Sequence, residues 1–426
     1  MTEIGKEMHG LMRELFPICR SITGNGVRQT LNILKKDIPL TVHEVASGTK
    51  VFDWTVPKEW NIKDAYVKNS SGERIIDFKK SNLHVLNYSV PVQKKVSLKE
   101  LKKHLFTLPE HPDWIPFRTS YYSKNWGFCT NHNQFEKLEQ DTYEVCIDSS
   151  LKDGHLTYGE YFIKGQISDE VLISCHICHP SLCNDNLSGI ALTTFLAKHL
   201  SKLSMHYSYR FIFVPATIGA ITWLSVNENR LSDIKHGLVA ACVGDRGKFN
   251  YKKSRQGNAE IDRAVLNALR YSGFEFNVKD FFPFGYDERQ FCSPGINLPV
   301  GCLMRTPHGE FPEYHTSADN LKFVSAKCLE ESLNIFFSVI NVLENNKTYL
   351  NLNPKCELQL GKRGLYDAIG GTGGIQQKQL TMLWVLNLSD GKHSLLDISE
   401  KSNLDISLIK KIVDILLKHN LLKLKT

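Results

Sequence analysis

Between residues 171 and 343 the sequence alternates between short apolar stretches with the pattern of buried strands and longer stretches with the pattern of helices. The apolar stretches cover residues 171–174, 209–214, 237–243 and 299–304, and the helical ones cover 188–200, 218–228, 261–272 and 326–343. Such alternation is typical of a mixed, mainly parallel sheet with helices on both faces. The sequence therefore predicts an α/β core in which the strand ends form one functional edge.

Two regions outside this alternation have a different pattern. After about 40 residues with helical periodicity, short alternating segments follow, and we expect a small β-rich subdomain inserted at 41–124. Near the other end, three short helices and a terminal strand predict a winged helix-turn-helix at 355–426. The predicted core then comprises residues 1–40 and 125–350, and we expect 143–147 and 156–163 to form a strand pair.

The composition argues for a cytoplasmic protein without membrane contact. The 426 residues are 42% hydrophobic and 23% charged, and they include neither an apolar leader nor an apolar stretch long enough to span a bilayer. Eleven irregularly spaced cysteines fit reduced thiols better than a disulfide framework. The net charge of +7 is spread along the chain, so it supports no nucleic-acid function.

A cluster of metal-ligating residue types lies where the first of these strands is predicted to end. His176 and His179 follow the apolar stretch, and Asp185 precedes the next helix. Asp245 and His315 lie at the ends of two further elements. Histidine and aspartate are a donor set suited to zinc. Because the fold brings the ends of successive strands together, we expect these residues to converge.

Two motifs surround these residues: Asn-Asp-Asn-Leu-Ser-Gly at 184–189 and Tyr-His-Thr-Ser-Ala-Asp-Asn at 314–320. With these motifs, the chain resembles the M28-type zinc aminopeptidases in the order of its candidate ligands, which is His176, Asp185, Asp245, His315. More closely, nearly the whole chain resembles the DUF4910/DUF2172 aminopeptidase-like proteins, which often occur in polysaccharide and natural-product gene clusters. Further motifs lie at 119–122, 126–129 and 285–291. This resemblance implies a phosphorylase/peptidase-like zinc exopeptidase core with the inserted subdomain and the winged helix.

The resemblance also implies a ligand set. Zinc would be bound by His176, Asp185 and His315, with Asp245 on or near a second metal position. Thr217 stands where M28 peptidases carry a further metal-binding carboxylate, so one zinc is expected and a second stays open. His179 has several interpretations: support of a ligand, direct ligation, substrate contact, or an ordinary loop hydrogen bond.

The resemblance places a catalytic glutamate where this chain has Ala216. Alanine cannot accept a proton, so we expect very slow hydrolysis or none. Either the chain is an inactivated variant, which the intact remaining motifs favour, or it is a non-catalytic relative. Asp287 and Glu288 are candidates for binding a substrate ammonium group. Tyr314 is a candidate donor to the oxyanion.

The sequence thus predicts a zinc-dependent aminopeptidase-like hydrolase that cleaves an amide bond next to a free amine, in a peptide or an aminoacyl-modified metabolite. A non-catalytic zinc- or peptide-binding module is the first alternative, because of Ala216. A DNA-binding regulator is the second, but apolar residues fill most of the helix at 406–420. We therefore expect the winged helix to serve protein contact or homo-oligomerisation.

Overall fold

The computed structural model describes residues 3–365 and 377–425. The α-helices are α1 (Glu3–Leu15), α2 (Asn25–Leu34), α3 (Leu98–Lys102), α4 (His132–Glu136), α5 (Ser188–Leu200), α6 (Ile218–Val226), α7 (Glu260–Arg270), α8 (Glu288–Phe291), α9 (Ala326–Asn345), α10 (Gln377–Leu388), α11 (Leu395–Ser402) and α12 (Ile406–Lys418). Short 3₁₀ or π turns occupy Asn82–His84, Cys183–Leu187, Glu228–Asp233 and Gly361–Arg363.

The β-strands are β1 (Thr41–Ala46), β2 (Lys50–Val51), β3 (Trp54–Thr55), β4 (Glu59–Lys68), β5 (Arg74–Asp77), β6 (Val92–Ser97), β7 (Leu105–Phe106), β8 (Phe128–Cys129), β9 (Thr142–Lys152), β10 (His155–Ile163), β11 (Glu170–His176), β12 (Ser208–Val214), β13 (Ile234–Ala240), β14 (Phe249–Lys252), β15 (Phe276–Lys279), β16 (Val300–Met304), β17 (Thr348–Asn351), β18 (Asp390–Ser394) and β19 (Leu422–Leu424).

The main sheet has eight strands in the order β1-β10-β12-β11-β13-β16-β14-β15. Its centre is parallel, because β11 pairs in parallel with β12 and β13, and β13 with β16. Antiparallel pairs join β10 to β12 and β14 to β16. Helices flank this mixed sheet, which confirms the predicted α/β class. Strands β11 and β12 are buried along their whole length, as expected for a sheet covered on both faces.

The register of the two central strands places the chain segments that follow them side by side. His176, the last residue of β11, lies opposite Val214, the last residue of β12. The loop after each strand therefore starts at the same edge of the sheet. A buried ion pair joins β11 and β12 near their opposite ends, since the Arg210 guanidinium binds both Glu170 oxygens at 2.6 Å. Arg210 also donates to Glu160.

The small antiparallel sheet has the order β5-β4-β9-β6 and is the β-rich insertion. Its strands extend from residue 59 to residue 152, whereas β1 joins the main sheet, so the sheet lies later in the chain than 41–124. The expected pairing of 143–147 with 156–163 is wrong. Strand β9 pairs with β4 and β6, and β10 pairs with β1 and β12, because each strand buries its apolar residues in a different sheet.

The chain divides into two compact units, Met1–Gly257 with Phe276–Leu333, and Asn258–Glu275 with Asn334–Thr426. The second unit contains α10, α11, α12 and a three-stranded sheet in the order β18-β17-β19, the composition predicted for a winged helix. It starts earlier than residue 355, because α7 and the second half of α9 belong to it. Within the described residues, no helix combines the length and the apolar character needed to cross a bilayer.

Candidate metal centre and substrate site

Three histidine rings surround one buried carboxylate, that of Asp185. His176 Nε2 lies 2.9 Å from Oδ1, and His315 Nε2 lies 3.0 Å from Oδ2. His179 Nδ1 lies 3.4 Å from Oδ2. His176 ends β11, His179 lies in the loop that follows, and Asp185 lies in the turn before α5. The structure therefore brings together four residues that the sequence singled out.

Two asparagines flanking Asp185 explain the local fold of this turn. Asn184 donates to Asp245 Oδ2 at 2.9 Å and accepts from the Gly244 amide at 2.9 Å. Asn186 donates to the Ala240 carbonyl at 3.0 Å and accepts from the Cys242 amide at 3.2 Å. Both side chains therefore bind the turn to the segment that follows β13, and Asp185 is left facing the histidines.

Asp319 holds the same turn from far along the chain. Its two carboxylate oxygens accept from the backbone amides of Asn184 at 2.6 Å and Asp185 at 3.0 Å. Burial raises the pKa of Asp319 to about 8, although these two amides lower it. The sequence analysis gave Asp319 no role, but its place in the motif at 314–320 was the available signal.

Among the described residues, Asp245 makes no hydrogen bond or ion pair with the three histidines or with Asp185, and its predicted role on or near a second metal stays a prediction. Its Oδ1 accepts from the Gly247 amide at 2.6 Å and the Thr306 hydroxyl at 2.7 Å. Its Oδ2 accepts from Asn184 and from the Thr306 amide at 3.2 Å. With four donors around the carboxylate, Asp245 fixes the loop after β13.

The electrostatics of the cluster favour its metal-binding protonation states. Burial raises the pKa of Asp185, but the neighbouring His179 and His176 outweigh this effect and hold the pKa well below its usual range. Burial lowers the pKa of His179 to about 3. At neutral pH the carboxylate is therefore ionised and the His179 ring is neutral, and these are the forms that coordinate metals.

The donor set fits a zinc ion. One ligand atom from each of His176, His179 and Asp185 lies within 4.8 Å of the other two. Two imidazole nitrogens and a carboxylate oxygen are common zinc donors. His315 contacts the second oxygen of Asp185 and supplies a further nitrogen. Of the interpretations left open for His179, this geometry favours direct ligation.

Ala216 lies two residues after β12, at the edge where β11 delivers His176. Its carbonyl oxygen accepts a hydrogen bond from the Cys178 thiol at 3.7 Å. Ala216 is partly buried and presents only a methyl group. No proton acceptor is therefore available from this position.

Asp287 and Glu288 differ sharply in their surroundings. Asp287 is fully buried, and neither carboxylate oxygen has a partner among the described residues. Burial raises its pKa to about 7, while nearby His176 lowers it. Glu288 binds Lys252 Nζ at 2.7 Å in a buried ion pair. Lys252 neutralises the charge of Glu288, although Glu288 Oε2 has no partner among the described residues. Of the two predicted ammonium ligands, only Asp287 therefore has both oxygens and its charge unpaired.

Two tyrosines stack on the histidine rings. Tyr314 lies over His315 with centroids 3.9 Å apart and an angle of 14° between the planes. Tyr286 lies over His176 at 5.2 Å and 17°, and its hydroxyl is 2.8 Å from Cys242 Sγ. The contact of Tyr314 fixes a ring orientation; its predicted oxyanion role stays a prediction. Tyr286 was missed, although it directly precedes Asp287 in a quoted motif.

Comparisons with known proteins show the family of this chain and the fold that it shares with others. A family model described as a domain of unknown function, DUF4910, matches residues 9–346, and one described as a winged helix-turn-helix matches 347–424. A Clostridium acetobutylicum protein, provisionally named a polysaccharide biosynthesis protein with an aminopeptidase-like domain, is 60% identical over 99% of this chain and 97% of its own. A crystal structure from that organism, provisionally named a peptidase, has a TM-score of 0.95 at 59% identity, with 99% and 97% coverage.

More distant structures share the fold. A zinc aminopeptidase from Bacillus subtilis has a TM-score of 0.57 at 12% identity, covering 80% of this chain and 94% of its own. A peptidase M28 precursor from Shewanella amazonensis has a TM-score of 0.56 at 12% identity, covering 81% and 96%.

Proposed function

The chain belongs to the DUF4910 family and has an aminopeptidase-like fold with a C-terminal winged helix, and on this basis we propose that it is a zinc-dependent hydrolase of the aminopeptidase type. Its substrate is an amide next to a free amine, in a peptide or an aminoacyl-modified metabolite. The observation that carries the proposal is the convergence of His176, His179 and His315 on the buried carboxylate of Asp185.

Three of these four side chains would hold one zinc ion per chain and leave a coordination position open, with Asp185 and His176 among the three. When bound, zinc polarises a carbonyl group and lowers the pKa of water. The protein keeps the donors ready, because Asp185 is ionised and His179 is neutral at neutral pH. Asp319 holds the Asp185 backbone, so the carboxylate is oriented before any ligand arrives.

Asp287 is the proposed partner of the substrate's ammonium group. A buried carboxylate without hydrogen-bond partners is strongly unfavourable, and a cationic ligand removes that penalty. The ionised oxygens of Asp287 can accept from the ammonium, whereas an N-blocked substrate offers no such charge. Selectivity for a free amine follows from this pairing.

Ala216 favours a second candidate function, a non-catalytic module that binds zinc and an amine-bearing ligand. Without a proton acceptor at 216, the protein would retain its ligand instead of hydrolysing it. For the winged helix, we propose protein contact or self-association. Helix α12 buries Ile409, Ile412 and Leu416, so its apolar face is used in packing, and Lys410 is paired with Asp414 at 2.6 Å.

The test compares the chain with Ala216 to its Ala216→Glu variant, and to Ala216→Gln as a control that is isosteric with glutamate but cannot accept a proton. Zinc content is measured by elemental analysis, and hydrolysis on a panel of aminoacyl amides. A positioned general base is typically worth roughly 10²–10⁴-fold in rate. We expect Ala216→Glu alone to hydrolyse free-amine amides, to lose this activity on chelation and to regain it with zinc.

If all three forms bind zinc but none hydrolyses any amide, the binding-module function replaces the hydrolase. If none of them binds zinc, both functions are refuted.

A further inference from the structure

A cavity of about 470 Å³ lies in the first unit, beside the loops that carry the histidines. Its lining includes Ser181 and Ser317, which lie two residues after His179 and His315 in the chain. The cavity and the metal centre therefore share two loops. This volume is within the range of small-molecule sites.

The charge of the cavity is positive. Lys79 and Lys80 line it, and no acidic residue does so among the described residues. The nearest carboxylate to the Lys79 ammonium is 3.9 Å away, on Asp64. Lys80 has no ion-pair partner within the part of the chain that the structure describes. An anionic ligand would therefore meet two cations whose charges are at most weakly neutralised.

The polar lining suits a ligand with oxygen atoms. Asn82 is 9% exposed, and its Oδ1 has no hydrogen-bond partner among the described residues. Ser317 Oγ accepts from the Ile115 amide at 2.9 Å, which leaves its hydroxyl hydrogen available to donate. The Ser317 hydroxyl can therefore donate to a ligand oxygen, whereas Asn82 Oδ1 is enclosed by protein.

Two partly buried aromatic residues, Phe16 and Phe78, complete the lining. Phe16 is held in place because its carbonyl oxygen accepts from the Ser181 hydroxyl at 2.7 Å. Aromatic rings provide apolar surface for the carbon face of a ring-shaped ligand. Inorganic phosphate alone would leave this surface unused.

We propose that this cavity binds a negatively charged sugar, phosphorylated or carboxylated, as the part of the substrate distant from the scissile amide. The proposal rests on the proposed function in treating the sugar as part of a substrate. Binding of the sugar itself needs neither zinc nor hydrolysis. Ser181 and Ser317 belong to the loops that carry His179 and His315, so a sugar bound in the cavity would contact those two loops.

The experiment is calorimetric titration of the full-length protein with glucose 6-phosphate and glucuronate, and with glucose and inorganic phosphate as controls. We expect one or both anionic sugars to bind, and glucose and phosphate to bind at least about tenfold more weakly, since charge-assisted hydrogen bonds are the strong ones. Raising the salt concentration should weaken only the charged ligands.

The variant Lys80→Glu should weaken binding of the anionic sugar by about tenfold or more. Lys202→Glu makes the same charge change at an exposed residue outside the cavity and should leave binding unchanged. His176→Ala, which removes a metal ligand, should still bind the sugar, so failure of the zinc hydrolase and failure of this site are distinguishable.

The proposal is overturned if neither anionic sugar binds at millimolar concentration. It is equally overturned if glucose or phosphate binds as tightly, or if both lysine variants behave alike.

Discussion

Replacing Asp287 with asparagine should make the metal-free protein more stable at neutral pH while removing its selectivity for free amines. Asp287 is fully buried and both oxygens lack partners among the described residues. Burial raises its pKa from 3.8 to about 7. The folded state therefore prefers the protonated carboxyl, and the free energy of unfolding falls as the pH rises from about 4 to about 7.

The magnitude follows from the pKa shift. One pKa unit corresponds to about 1.4 kcal/mol, so a rise from 3.8 to about 7 amounts to roughly 4 kcal/mol lost between these pH values. Below pH 4 the carboxyl is protonated in both folded and unfolded states and contributes nothing. Asparagine does not titrate, so the Asp287→Asn variant does not lose this free energy of unfolding as the pH rises.

The assay is urea denaturation of both proteins at several pH values from 4 to 8, with a chelator present. The stability of Asp287→Asn relative to the unsubstituted chain should rise by roughly 4 kcal/mol up to pH 7 and then stay level. A relative stability independent of pH would refute the reasoning. In parallel, Asp287→Asn should bind free-amine and N-acetylated amides equally, and retained preference for the free amine would remove Asp287 from the substrate site.

The remaining predictions concern the metal centre and the sheet. His179→Ala should lower zinc content, measured by elemental analysis, as much as His176→Ala does, since both rings belong to one ligand cluster; full zinc content in His179→Ala would show that this ring is not a ligand. Asp319→Asn should weaken zinc affinity by roughly 10–100-fold, because the amide can accept from only one of the two backbone amides; unchanged affinity in a competition titration would contradict this. Arg210→Met should lower the free energy of unfolding by about 3–5 kcal/mol, because the buried Glu170 loses its cation; urea denaturation measures it, and a change below 1 kcal/mol would be inconsistent with a buried charge.

The four central strands of the main sheet, β11, β12, β13 and β16, could be predicted from the sequence because they are almost wholly buried and alternate with helices. The limits of the small sheet could not, since an alternating pattern shows one buried face without showing which sheet provides it. Residues 143–147 illustrate this: their apolar side chains are the same whichever sheet the strand joins. The start of the second unit was missed for a related reason, because α7 is distant in sequence from the other helices of that unit.

The site could be predicted to the extent that it depends on strand ends. His176, Asp185 and His315 lie together because the carboxyl ends of parallel strands share one edge. Asp245 also follows a strand end, that of β13, but its carboxylate accepts from Asn184, Gly247 and Thr306. The role of Asp319 depends on two hydrogen bonds to residues 134 and 135 positions away, and no local pattern contains that information.

The long separation between Asp319 and the turn that it holds also sets an order of events during synthesis. The ribosome completes Asp185 and must add 134 more residues before the carboxylate that caps this turn exists. At about 5–20 residues per second, that interval is roughly 7–27 s. Throughout it the nascent chain has His176 and His179 but lacks both His315 and the cap of Asp319. The complete set of proposed zinc ligands therefore forms only after the last strand of the main sheet has been made, and the proposed zinc ion would be bound late in the maturation of this protein.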